Sequence, residues 1–159
     1  PGPAVSPPRG AHLNRDPVAD AARQAANAEG RVVSQLNVGA VKPLEVLNFE
    51  DFASRSVVGD NLEGHELLQH AWLKAHGFSN RRLDTMASKL NPVIALPRDP
   101  THLQVNSLQA ASGDFALETA MQNIERNAAV LLEAGIQAHV VDDLRARAIL
   151  HGRRLKVIP

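Results

Sequence analysis

The sequence predicts an α+β domain, mostly helical, with one small β-hairpin. Three observations carry that expectation. Apolar residues recur at helical spacing over most of the second half, as in Phe115, Leu117, Ala120, Met121, Ile124, Ala128, Leu131 and Leu132. Val93 to Leu96 is a short continuous apolar run closed on both sides by turn signals, long enough for one small buried strand. The chain has 159 residues and 44% hydrophobic content, enough for a single domain with a real core. Aromatic residues make up 3%, so that core must be built from Leu, Val, Ile and Ala.

Residues 1–30 read as a linker or tether. Pro1, Pro3, Pro7, Pro8 and Pro17 favour extended backbone, and the Ala-rich run Asp20 to Glu29 favours a weakly anchored helix stopped by Gly30. The folded unit is expected over residues 31–159. Arg31 to Val38 reads as a strand or an extended segment. Pro43 breaks the chain, and Leu44 to Phe52 holds a short helix started near Asn48. Val57 and Val58 precede a Gly-Asp-Asn turn. Glu66 to His76 is expected to be helical, with Leu67, Leu68, Ala71, Trp72 and Ala75 as its buried stripe and Gly77 as its stop. Ser79 to Lys89 is polar and reads as an exposed loop or short helix.

The unit from Asn91 to Asn106 organises the rest. Asn91-Pro92 is a turn signal, Val93 to Leu96 the strand, and Pro97 and Pro100 end it because proline lacks the ladder N–H. Asp99 or Thr101 then caps a helix carrying His102 and Asn106 at i and i+4, on one face. Asp114 is expected to start the longest helix, Phe115 to Glu133, which Gly135 ends. Ile136 to Val141 reads as a strand or extended link. A last helix, Asp142 to Leu150, precedes a basic tail.

Composition bounds the chemistry. The chain has no Cys, which removes disulfides and thiolate metal sites. Its net charge is zero, which argues against attachment to nucleic acid by bulk charge alone. No apolar run approaches the roughly 18 residues of a membrane span. The chain opens on Pro1 without a signal peptide, so it is expected to be the C-terminal module of a larger, delivered polypeptide.

The residues that can do chemistry are few. His65 with His102 and Asn106 makes a candidate metal site for Mg, Mn, Ni or Zn. The general base is either Glu66 or His65 itself, and in the latter case Glu63 or Glu66 would share the ion with His102. Arg81, Arg82 and Arg98 are candidate phosphate-binding residues. One cation to polarise a phosphoryl oxygen and one base to activate water suffice for phosphodiester hydrolysis. A second reading takes His65-Glu66 and His70 as a near miss to the zinc-protease helix. There the two His stand four apart; here they are five apart, about 140° around a helix. His12, His139 and His151 read as surface or core-edge residues, and Trp72 as core.

Asn91, the apolar strand, and a helix with His102 and Asn106 resemble the second half of the HNH, or ββα-metal, nuclease motif. His65-Glu66 resembles its first half. The resemblance spans residues 57–109. The wider pattern is similar to nuclease modules at the C-terminal ends of bacterial polymorphic toxins, such as those of Rhs or contact-dependent systems. It implies a ββα-metal (His-Asn-His) core in which Asn91 holds the hairpin loop, His102 binds the ion, and Asn106 is a second ligand or a positioning residue. It further implies a metal-dependent endonuclease acting on DNA, or on RNA, as the toxin domain of a secreted antibacterial effector in the target-cell cytoplasm. A cognate immunity protein is then expected. The alternative is a non-enzymatic helical adaptor or immunity-type module, which needs neither His65 nor His102.

Overall fold

The computed structural model describes residues 39–79, 81 and 85–159. The expected linker, the helix over residues 20–29, the extended segment over 31–38, His12 and Arg82 lie outside the described residues. Helix accounts for 56% of the described chain, arranged around one three-stranded antiparallel sheet. The fold is therefore α+β and mostly helical.

The strands are β1 (Val46–Asn48), β2 (Leu62–Glu66) and β3 (Pro92–Pro97), in the spatial order β1-β3-β2. The expected apolar run is thus the central strand. Pro92 and Pro97 stand at its two ends, where a missing N–H costs the ladder least, and Arg98 N–H donates to Asn61 O at 2.8 Å just beyond. Residues alternate between the two faces of a strand. Ile94 and Leu96 enter the larger core; Val93 and Ala95 enter a smaller one with Leu47, Phe49, Phe52 and Leu62.

The smaller core is covered by α1 (Phe49–Arg55). Asn48 caps it, its Oδ1 accepting from Asp51 N at 2.8 Å, as the sequence leads one to expect. Two short helices, α2 (His70–Ala75) and α3 (Met86–Lys89), lie between β2 and β3. A π-helical turn, Arg98–His102, then leads into α4 (Leu103–Ser112). After a 3-10 turn at Phe115–Leu117, α5 (Ala120–Glu133) and α6 (Ala138–Arg154) complete the larger core with Ile124, Leu131, Val141 and Leu144.

Four expectations about elements are corrected. Glu66 to His76 is not one helix: the chain stays extended through Glu66, and α2 starts only at His70. The reason is tertiary. Asn side chains satisfy the backbone between strand and helix: Asn127 Nδ2 donates to Leu67 O, Asn91 Nδ2 to Leu68 O (both 2.8 Å), and Gln69 N donates to Asn123 Oδ1 at 2.9 Å. Leu67 and Leu68 can then both be buried without a helix. Second, Asp99 and Thr101 do not cap the helix bearing His102; Asp99 has non-helical backbone, and α4 begins without a side-chain cap.

Third, Phe115 to Glu133 is divided at Thr119, which forms a capping box with Gln122, and the Glu118–Arg126 ion pair (2.6 Å) anchors the junction. Asp114 does cap, but only the 3-10 turn, accepting from Ala116 N. Fourth, α6 begins at Ala138, so the expected link over 136–141 is mostly helix. It runs on to Arg154 with Gly152 inside it. A Cβ at Gly152 would stand 2.5 Å from Ile158 Cδ1, so the glycine lets the tail fold back on the helix.

Candidate functional site

β2 positions the site. Its alternation sends Glu63 and His65 to the face of the larger core, and Glu66 to the other. The π-helical turn folds back from the end of β3, bringing His102 onto His65. The two rings meet edge to face, centroids 5.7 Å apart and 74° between planes. The imidazoles that the sequence assigns to two halves of the fold are therefore neighbours.

His65 is 4% exposed, and its Nε2 has no hydrogen-bond partner. A buried polar atom left alone is costly, on the order of 1–3 kcal/mol, and native folds seldom keep one without a use. Burial, with a smaller contribution from His102, pushes the His65 pKa down to about 3. His102 is half-buried; burial first, then the Arg98 guanidinium, lowers its pKa. Both rings are thus held toward the neutral form, the one that offers a lone pair.

Asn106 stands exposed beside them, its amide 3.5 Å from His102 Nδ1. Arg98, at the start of the π-helical turn, is close enough for its charge to act on His102. Glu63, two residues before His65 on the same face and 2% exposed, is a neighbour that the sequence offers only as an alternative ligand. Its signal is the Glu-x-His spacing, which becomes meaningful once the segment is a strand of period two.

Other sequence candidates fall elsewhere. Glu66 points away from the imidazole pair. Its Oε2 accepts from Asn91 Nδ2 at 2.8 Å, and its charge acts on His151. The reading of Glu66 as base is corrected on that ground: neighbouring strand residues cannot share a face. Asn91 is fully buried and bridges Glu66 to Leu68 O, so it ties β2 to the entry of β3. Arg81 is exposed on the loop after α2. The zinc-protease reading loses its helix, because His65 and Glu66 lie on β2 and His70 opens α2.

His139 is exposed, but His151 is core, 1% exposed, its Nε2 donating to Ala87 O at 2.7 Å. Trp72 is buried as expected, its Nε1 donating to Glu118 O. The sequence reading missed Asn123 and Asn127, both fully buried on α5; their i, i+4 spacing within the apolar stripe is the signal.

Among the described residues, no three His, Asp or Glu side chains gather closely enough to hold a metal ion, so an ion here would depend on the imidazole pair and an amide. Among them, too, no helix is long and apolar enough to cross a membrane. Comparison of the chain with protein-family models, curated proteins and solved structures finds no match.

Proposed function

We propose that this chain is a metal-dependent endonuclease that hydrolyses phosphodiester bonds of DNA. One observation carries the reading. A strand histidine with an orphaned, buried Nε2 faces a second histidine at the start of a helix, and the two come from antiparallel neighbouring strands and the turn that follows them. That is the β, β, α order to which the sequence bears a resemblance.

The donor set suits a cation. His65 and His102 would hold it, with the Asn106 amide beside them. Imidazole ligands favour Zn or Ni over Mg or Mn. When bound, such an ion supplies positive charge to a phosphoryl oxygen. The protein's own groups do the rest. Arg98 lies where it can balance the charge of a phosphate. The low pKa of each ring keeps its nitrogen unprotonated at neutral pH. Glu66 faces the other side of the sheet, against Asn91, and takes no part in the step.

The biological setting follows from the resemblance. The chain is read as the toxic end of a larger delivered effector, secreted to act in the target-cell cytoplasm and neutralised in the producer by a cognate immunity protein. RNA is the other substrate with the same phosphodiester chemistry.

The test is incubation of plasmid with the purified chain, with EDTA or with added Mg, Mn, Ni or Zn. Cleavage that requires the ion, disappears in His102→Ala and weakens steeply with salt is expected. Intact plasmid under every condition, from a folded sample, refutes the proposal.

A further inference from the structure

A concavity lies at the edge of the sheet away from the imidazole pair, between β1 and α6. It has a volume of about 360 Å³. Its apolar lining comes from Val46, Leu47, Leu90, Pro92 and Leu150, and Leu150 is 59% exposed there. Asn48 and Asp51 close one side. The other side is one face of α6, where Arg147, His151 and Arg154 stand at i, i+4 and i+7.

The charges are unequal. Arg147 pairs with Asp143 at 3.0 Å and reaches Val46 O at 3.5 Å. Arg154 touches His151 Nδ1 at 3.4 Å, and no carboxylate among the described residues pairs with it. His151 donates from Nε2 to Ala87 O, so its Nδ1 is the acceptor, and Arg154 Nη1 faces it. The cavity thus joins an apolar floor to a guanidinium whose remaining donors are left for a ligand.

We infer that this cavity is a docking site for an acidic peptide segment of a partner protein, an apolar side chain filling the floor and a neighbouring carboxylate meeting Arg154. Charge complementarity selects the anion: Arg presents a planar fork of donors that matches a carboxylate. The apolar floor selects a peptide over nucleic acid. A phosphate backbone has no apolar group to place among Val46, Leu47 and Leu150, and Asp51 and Asp143 beside the arginines break the single-sign field on which duplex binding depends. The inference stands independently of the nuclease reading, because none of these residues belongs to the imidazole pair.

The probe is a fluorescein-labelled peptide, Ser-Glu-Asp-Leu-Asp-Phe-Glu-Glu-Gly-Ser, added to the full chain. Amide NMR shifts locate it and anisotropy gives its affinity. Three controls accompany it: the same peptide with Asn and Gln for Asp and Glu, a short DNA duplex, and sodium acetate. The expected result is that only the acidic peptide moves the amides of Leu47, Leu150 and Arg154, and that Arg154→Glu weakens it about tenfold or more. Leu150→Asp, at an exposed position, serves as a second variant with the same expectation, and a thermal melt verifies that each variant is folded. Four results overturn the inference: no shift at saturation, equal binding of the neutral peptide, shifts of these amides by DNA or acetate but not by the peptide, or unchanged affinity in a folded Arg154→Glu or Leu150→Asp protein.

Discussion

Two neighbouring residues of β2 meet opposite fates. Glu66 is buried against Asn91, which donates to its carboxylate and to Leu68 O, so the asparagine closes two debts of the fold at once. His65, one residue earlier and equally buried, has an Nε2 with no partner and a second imidazole across from it. On one face of the sheet the Asn91 amide N–H groups are used up in holding strands together, although its own Oδ1 has no partner among the described residues. On the other, a polar group is kept available. A buried amide that donates to two acceptors supports the fold; a buried ring nitrogen that faces a second imidazole is where a ligand is expected.

This contrast can be broken most severely at Asn91. Asn91→Ala removes a donor from a buried carboxylate and from the buried Leu68 carbonyl, and urea unfolding should show a loss of about 3 kcal/mol. His65→Leu removes an orphaned polar atom from an apolar setting, and its stability should stay within about 1 kcal/mol of the parent while plasmid cleavage disappears. If His65→Leu proves as costly as Asn91→Ala, the two faces do not differ in the way described.

Asn127→Ala comes next. It leaves Leu67 O without its donor, at a cost of about 1–3 kcal/mol in the same assay. The pH dependence sharpens the comparison from the His65 side. The unfolded imidazole takes up its proton below about pH 6.5, whereas the folded one does so only near pH 3. Between those values the unfolded state binds the extra proton, so stability falls as pH falls. His65 alone should contribute about 1.4 kcal/mol of loss per pH unit over that window, and the slope should be shallower by that amount in His65→Leu. The smallest effect is expected at Thr119→Ala, about 1 kcal/mol from the lost cap of α5, with the imidazole pair undisturbed.

Much of this was legible in the sequence where a signal is local. The Val93 to Leu96 run announces a buried strand by its composition and flanking prolines, and Asn48 announces a helix start by its side chain. The pairing of His65 with His102 could be proposed from motif order. What local reasoning could not see was long-range. Leu67, Leu68 and Trp72 fit a helical stripe, yet Asn91, Asn123 and Asn127, 23 to 60 residues away in sequence, hold the preceding segment extended. That single change of period moved Glu66 off the face of His65 and removed it as a base. The start of α6 at Ala138 and the burial of His151 were hidden for the same reason: their partners, Ala87 and Ile158, lie on other elements or fold back from the tail.

The claim at the centre is that His65 and His102 grip one cation together. Proton–carbon NMR of the histidine rings during a titration with Zn, Ni or Mg tests it without reference to cleavage. Both ring signals should move together with one ion per chain and return on adding EDTA, and the His65 signal should stay still in His102→Ala; a saturating titration that leaves the His65 ring of the parent unmoved contradicts the account.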